Sequence, residues 1–311
     1  MIIYIFKKKR VITLGLLFIS LVLFTRIASP KGIGSFKPKF SIDVKWGPRY
    51  ISIGDINKNL EAFDSYLSEM TNYEGDKIKR LNNYKKTLEG ELRLDVSSKF
   101  AIGVGIEKIS EKNESLFEFT DPFPYHDMDL FHTISTKPEV SAVNLKLGTY
   151  YTIPLVRRIN LILNGGIDYY NSEISLYKFH EFLPEVYIWR PYKEEEYNMS
   201  SKGFGFHGGI GFEYRIVNDL SLVLEFQGRY ARMKNLKGTK IITGRIFTEE
   251  REEEGILYIG EKMWFGEYCP DLIISPSRPS GDEFKNVREA VLDFSGYSLR
   301  LGIKLNFFRR R

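Results

Sequence analysis

Apolar and polar residues alternate one by one along most of this chain, most cleanly near its end. From Gly296 to Phe307, Tyr297, Leu299, Leu301, Ile303, Leu305 and Phe307 take one parity, and Ser298, Arg300, Gly302, Lys304 and Asn306 take the other. A period of two puts successive side chains on opposite faces, so this segment predicts a strand with one oily and one charged face. The pattern occurs seven more times. Phe40, Ile42, Val44 and Trp46 alternate with Ser41, Asp43, Lys45 and Gly47, and Leu88, Leu92 and Leu94 with Glu89, Glu91 and Arg93. Ile102, Val104 and Ile106 alternate with Gly103, Gly105 and Glu107, and Val143, Leu145 and Leu147 with Asn144, Lys146 and Gly148. Strands are likewise predicted at 159–169, 204–214 and 220–230. The period changes once: Ile56, Leu60, Phe63 and Leu67 recur at three- and four-residue spacing, predicting an amphipathic helix within Ile53 to Met70 with Asp55 as its N-cap.

Alternation alone does not say which face is inside, because a soluble antiparallel sheet shows it too. The connections are more telling. They are short at 95–99, 154–158 and 217–219, and long after the first strand and at 110–138, 171–202 and 234–290. Short turns at one end and long loops at the other, joining eight strands of about 9–12 residues, suit strands that cross a hydrocarbon layer at a tilt. A β-sandwich with the apolar parity inside gives no reason for that rhythm. The expected fold is all-β: an eight-stranded antiparallel transmembrane up-and-down barrel with one short helix in its first surface loop. Tyr151, Tyr169, Tyr214 and Tyr230, at strand ends, would form an interfacial girdle. In the longest loop, Ile241, Thr243, Arg245 and Phe247 precede the acidic stretch Glu249 to Gly255 and Ile256, Tyr258 and Gly260 follow it, predicting a hairpin that extends the sheet above the membrane.

With the polar parity facing the lumen, seven acids (Asp43, Glu89, Glu91, Glu107, Asp168, Glu213, Glu225) meet seven bases (Lys45, Arg93, Lys146, Arg215, Arg229, Arg300, Lys304). Buried ions need partners, and an eight-stranded barrel is just wide enough to be filled by side chains, so a closed, charge-balanced core is expected rather than a wide pore. His207 would belong to it, near Glu213 or Glu225. Arg300 and Lys304 would reach Asp43, Glu89 or Glu91 as the last strand closes on the first.

Composition refines this picture. Tyr (19), Phe (23) and Gly (26) are abundant, which suits strands and their bends, and a net charge of +5 over 45 basic and 40 acidic residues suggests no nucleic-acid partner. Cys269 is the only cysteine, so neither a disulfide framework nor a thiolate metal site is expected. Lys7, Lys8, Lys9 and Arg10 precede an apolar run from Val11 to Phe24, the form of an export signal. Residues 1–30 are therefore set apart from a barrel domain at 31–311. Cleavage would fall near Ile27 to Ser29; Pro30 directly after is an imperfect site, so an uncleaved anchor stays open. Gly203 to Gly208 matches G-x-G-x-x-G but lies inside an alternating run, where a dinucleotide site needs a strand-to-helix turn. His126, Asp127, Asp129 and His132 fit no zinc-ligand spacing. Nothing selects Ser175 with His180 as a catalytic pair. No catalytic residue, metal or cofactor is expected.

From Phe40 to Phe307 the pattern resembles the small eight-stranded outer-membrane β-barrels of Gram-negative bacteria, the OmpA-like and OmpW-like group. The most specific part is the last strand, whose Tyr297, Leu299, Leu301, Ile303, Leu305 and Phe307 look like the terminal signal such proteins present to the outer-membrane assembly machinery. This chain departs by continuing to Phe308, Arg309, Arg310 and Arg311. The resemblance implies export, an outer-membrane location, and outer-membrane lipid and the assembly machinery as partners. Some barrels of this kind are lipid-modifying enzymes, but no Ser/His pair lies on the lipid parity here. The expected role is non-enzymatic, in envelope structure or in binding through surface loops. Passage of small or hydrophobic solutes is the alternative, and lipid modification a remoter one.

Overall fold

Backbone pairing follows the alternation strand by strand. The computed structural model describes residues 39–71, 77–123, 128–184, 191–245, 250–264 and 266–307. The expected export signal, His126, Asp127 and the tail after Phe307 lie outside them. In chain order the strands are β1 (Lys39–Ile51), β2 (Tyr84–Asp95), β3 (Phe100–Lys112), β4 (Ser115–Phe123), β5 (Met128–Val156), β6 (Ile159–Pro184), β7 (Tyr192–Val217), β8 (Leu220–Tyr230), β9 (Arg232–Met233), β10 (Lys237–Gly244), β11 (Arg251–Trp264), β12 (Glu267–Ser275), β13 (Phe284–Glu289), β14 (Leu292–Asp293) and β15 (Gly296–Phe307). The single described helix, α1 (Asp55–Thr71), follows β1. Eight strands close an antiparallel ring in the order β1, β2, β3, β5, β6, β7, β8, β15 and back to β1. The closing pair runs from Phe40 opposite Phe307 to Ile51 opposite Gly296, so the last strand does seal against the first.

The ring has the expected number of strands, but the segments expected as loops are mostly sheet. β5 is 29 residues long and β6 and β7 are 26 each, while β1, β2, β8 and β15 have 11 to 13. β4 pairs with the upper part of β5, and β10 pairs with the upper part of β7. β11 and β12 then widen the sheet, and seven described strands in all stand outside the ring. A hairpin is present in the longest loop as β10 and β11, but Arg251 to Gly255, expected in its acidic tip, belong to β11 and pair with Ile242 to Gly238 of β10.

The extension was hidden because alternation continues there with its polarity reversed. On β5, Asn144 and Lys146 point inward, and so do Val140 and Ala142 above them. Outward, Val143 and Leu147 are exposed and apolar, while Glu139 is exposed and polar. β6 reverses between Tyr169 and Asn171, and β7 between Phe204 and Lys202. These positions are paired across the sheet, Val143 with Asn171 and Asn171 with Lys202. One level line therefore divides a zone that is polar inside and oily outside from a zone that is oily inside and polar outside. A strand keeps its geometry across such a line, since only the surrounding solvent changes.

Above the line the core is apolar. Phe117, Ile134, Val140, Ile174, Leu176, Tyr197, Leu257 and Leu272 pack there with Ile56, Leu60 and Leu67 of α1. α1 touches β4 and β12, two of the edge strands of the extended sheet, and also β14, so its apolar stripe packs between them. Asp55 is not its cap. The Gly54 carbonyl accepts the first helical bond, from the Lys58 N–H at 3.4 Å, and Gly54 has a φ of +70°, which glycine adopts at little cost. The Asp55 carboxylate instead takes two bonds from Arg288 of β13, at 2.6 and 2.7 Å, and one from the Val291 N–H at 2.8 Å. It latches the helix to a segment more than 200 residues away in sequence. No described helix is long and apolar enough to cross a membrane.

Candidate functional site

Below the line, the inward parity of the ring brings its charged side chains into the lumen as several ion-paired clusters. Asp43, Lys45, Glu89, Glu91, Arg93, Glu107, Lys146, Asp168, His207, Glu213, Glu225, Arg229, Arg300 and Lys304 are all buried. The Arg300 guanidinium on β15 forks between Glu89 of β2 and Glu225 of β8, each with its own nitrogen. Lys45 on β1 lies 2.8 Å from both Glu91 and Glu225, and 3.4 Å from Glu89. Lys146 on β5 reaches across to Glu89 at 2.6 Å and to the Gln227 amide oxygen at 2.8 Å. Arg229 on β8 meets Glu107 of β3 at 2.9 Å. Arg93 pairs with Asp43 at 2.7 Å, and its guanidinium lies 3.8 Å from the centre of the Tyr150 ring. Long side chains from one wall are thus braced against the opposite one.

Room for them comes from glycine. A Cβ on Gly103 would collide with the Glu91 carboxylate and come within 2.9 Å of the Tyr150 ring, and one on Gly302 would come within 2.8 Å of the Lys45 side chain. The lumen glycines are therefore complementary in volume to the charged groups opposite.

Several details differ from the sequence reading. Arg215 is exposed beside the turn before β8, where the alternation has run out of barrel. Arg49 takes a base's place in the lumen, bonded to Glu107 at 3.3 Å and to Glu111 at 3.1 Å. Pro48 reads as a break in the ladder, yet Arg49 continues the inward parity of Asp43 and Lys45, and that continuation is the signal that would have found it. Glu111 was masked by Ile109, the apolar residue before it on the same parity. His207 pairs with Asp168 at 2.9 Å rather than with Glu213 or Glu225. Lys304 stands opposite Asp43 in register, but its carboxylate partner is Glu213, at 3.6 Å. Of the residues in the loop motif, His132 bonds His180 at 3.1 Å and stacks on Phe119. Ser175 and His180 lie on opposite parities of β6. Gly203 to Gly208 lies wholly within β7, with no helix after it.

A second polar cluster sits inside the extension. Lys193 and Lys240 flank Glu195 at 2.7 and 2.8 Å, and the Tyr197 hydroxyl donates to it at 3.1 Å. Burial pushes the Glu195 carboxyl up, but Lys240, Lys178 and Lys193 outweigh it and hold the group below the ordinary glutamate value of 4.5. Burial, aided by His132 and Lys193, pushes the His180 imidazole down from 6.5 to about 3. Both groups are therefore protonated at higher pH in the unfolded chain than in the folded one. For His180 this means that stability is complete above about pH 6.5 and falls as the pH drops towards 3; for Glu195 the loss begins below about pH 4.5. Hydrogen exchange in the upper parts of β5, β6 and β7 should accelerate over that range relative to exchange in β8 and β15. His180→Phe should flatten the part of the response between about pH 6.5 and 4.5.

No protein-family model matches the chain, and no curated protein matches it either. Among solved structures, a major outer membrane protein from Thermus thermophilus aligns over 88% of this chain and 100% of its own at 16% identity, with a TM-score of 0.35. A FadL homologue from Pseudomonas aeruginosa aligns over 88% of this chain and 91% of its own at 7% identity, with a TM-score of 0.18. An outer membrane channel from Pseudomonas putida F1 aligns over 90% and 100% at 8% identity, with a TM-score of 0.18. Likeness this low says nothing about what the present chain does.

Proposed function

We propose that the chain is an outer-membrane β-barrel of the small, closed kind represented by OmpA-like and OmpW-like proteins, a non-conducting and non-catalytic anchor that presents a folded extension at the cell surface. Support for the membrane comes from the outside of the ring. Leu88, Phe204 and Phe206 are 60–67% exposed, and Trp46, Leu147, Leu224, Leu301 and Ile303 continue the oily surface around it. A soluble monomer seldom exposes more than a few hundred Å² of contiguous apolar surface, whereas lipid accepts it.

The observation that carries the closed reading is the lumen network: Arg300, Lys45 and Lys146 tie β15, β1 and β5 to Glu89 and Glu225 across the barrel. Just above it, the next inward residues include Ile51, Ile109, Ala142 and Tyr170, all buried. Both layers are built of buried side chains.

In planar bilayers the purified protein should give no stable single-channel steps; such steps would turn the reading towards solute passage. Cell fractionation should find it with the outer membrane, with heat-modifiable gel mobility, and recovery as a soluble periplasmic protein would defeat the membrane reading. Lipid A mass should be unchanged on expression, and a changed mass would make it an enzyme.

A further inference from the structure

Asn113 and Asn198 are the only asparagines in the chain followed, two residues on and with no proline between, by a serine or threonine. Asn-x-Ser/Thr is the acceptor pattern for N-linked glycosylation of exported chains, in which the hydroxyl helps present the asparagine amide to the transferase. The fold uses the two asparagines differently. At Asn113, between β3 and β4, the Nδ2 amide donates to the Arg80 carbonyl at 2.7 Å, and the buried Ser115 hydroxyl accepts from the Lys79 N–H at 2.7 Å. Both groups pin the segment before β2, so local structure accounts for that pair of residues.

Asn198 and Ser200 pin no other segment. Both are exposed on the outward parity of β7, while Tyr197 and Met199 beside them are buried in the core. The Asn198 Nδ2 amide donates to Glu196, two residues back on the same exposed face, at 2.8 Å. Around them lies an open groove of about 490 Å³. Strand register lays two polar rows along it: Ser175, Asn198 and Thr239, and next below them Glu173, Ser200 and Lys237. The neighbours of Asn198, about 4.8 Å to either side, are a serine and a threonine, whose short side chains leave space above them. With Glu139 the lining holds two carboxylates and one ammonium among hydroxyls. That set hydrogen-bonds a neutral saccharide and does not attract an anion.

We propose that Asn198 carries an N-linked glycan whose first sugars lie in this groove, an assignment that rests on the export and surface exposure of the outer-membrane reading. In the transfer, the Asn198 amide nitrogen displaces diphosphate from the anomeric carbon of a lipid-diphosphate-linked saccharide. The N–C bond forms as the C–O bond breaks, one amide proton is given up, the lipid diphosphate leaves, and no group is oxidised or reduced. At this level β7 is paired with β6 on one edge and β10 on the other, and a transferase cannot grip a strand held on both edges. The glycan is therefore added during export, before the sheet forms. The outward groove then lets the modified strand pair as the bare one would, whereas a sugar on Asn113 would push against Arg80.

The test takes the full chain from the outer membrane of its own cells and maps its proteolytic peptides by mass spectrometry, with fragmentation that retains glycans. The peptide holding Asn198 should be heavier than its sequence by whole sugar residues, and the peptide holding Asn113 should not. Asn198→Gln and Ser200→Ala should each remove the added mass entirely, and Ser200→Thr should keep it, with heat-modifiable mobility unchanged in all three. A bare Asn198 peptide from the outer-membrane protein would overturn the proposal and leave the membrane reading intact. A glycan on Asn113 alone, or one indifferent to Ser200→Ala, would overturn it as well. A chain recovered bare from the cytosol fails the membrane reading first, and this assignment with it.

Discussion

Arg300→Ala should destabilise the barrel by about 3–5 kcal/mol, the usual effect of removing one partner from a buried ion pair. The guanidinium is fully buried and bonds Glu89 and Glu225 at once. Without it, Glu225 keeps Lys45, and Glu89 keeps Lys146 and the more distant Lys45, so one excess negative charge is left in a site that water cannot reach. The arginine itself need not be strongly stabilising, because desolvating the group offsets much of its attraction. Arg300→Met combined with Glu225→Gln should therefore recover most of the loss, since it removes a charge of each sign and leaves Lys45 paired with Glu91 and Lys146 with Glu89. Urea unfolding in detergent or lipid, followed by gel mobility, measures both. If Arg300→Ala unfolds like the wild type, the lumen is wetter than its packing implies, and the closed reading weakens with it.

Leu147→Arg tests the polarity line. Leu147 is 53% exposed on the outward parity of β5, among the belt residues Val143 and Tyr151. An arginine near the bilayer midplane of a barrel costs about 2–4 kcal/mol. Ser135→Arg, on the same parity of the same strand but twelve residues higher, should change stability by less than about 0.5 kcal/mol, as surface substitutions do. Inward, the order reverses: a base at Lys146 is native, whereas Val140→Arg would bury an unpaired charge in the apolar core of the extension. Equal effects of Leu147→Arg and Ser135→Arg on unfolding in lipid would mean that the line is not a membrane boundary.

Local pattern made much of this protein legible. The eight ring strands, the helix around Ile56 to Leu67 and the hairpin in the longest loop follow from periodicity, and the inward charged set follows from parity. The upper halves of β5, β6 and β7 were missed because a polar-outward strand above a membrane resembles a solvated loop when the apolar residues between, such as Val140, Ile174 and Met199, are read one at a time. A reader who kept counting parity past Val143, Asn171 and Lys202 would have seen the alternation persist with its sign changed.

Partner choice was not legible. Asp55 looks like a helix cap, and only the fold brings Arg288 and Val291 to it. Glu89 and Glu225 are 136 positions apart, and only ring closure places both within reach of Arg300. The sequence by itself determined the ring-forming stretches and which of their side chains share a face, because those depend on a two-residue period within a single segment. The tertiary structure alone decided which charges meet, where the polarity line runs level across three strands, and how two polar rows become a groove, because each depends on register between segments far apart in the chain.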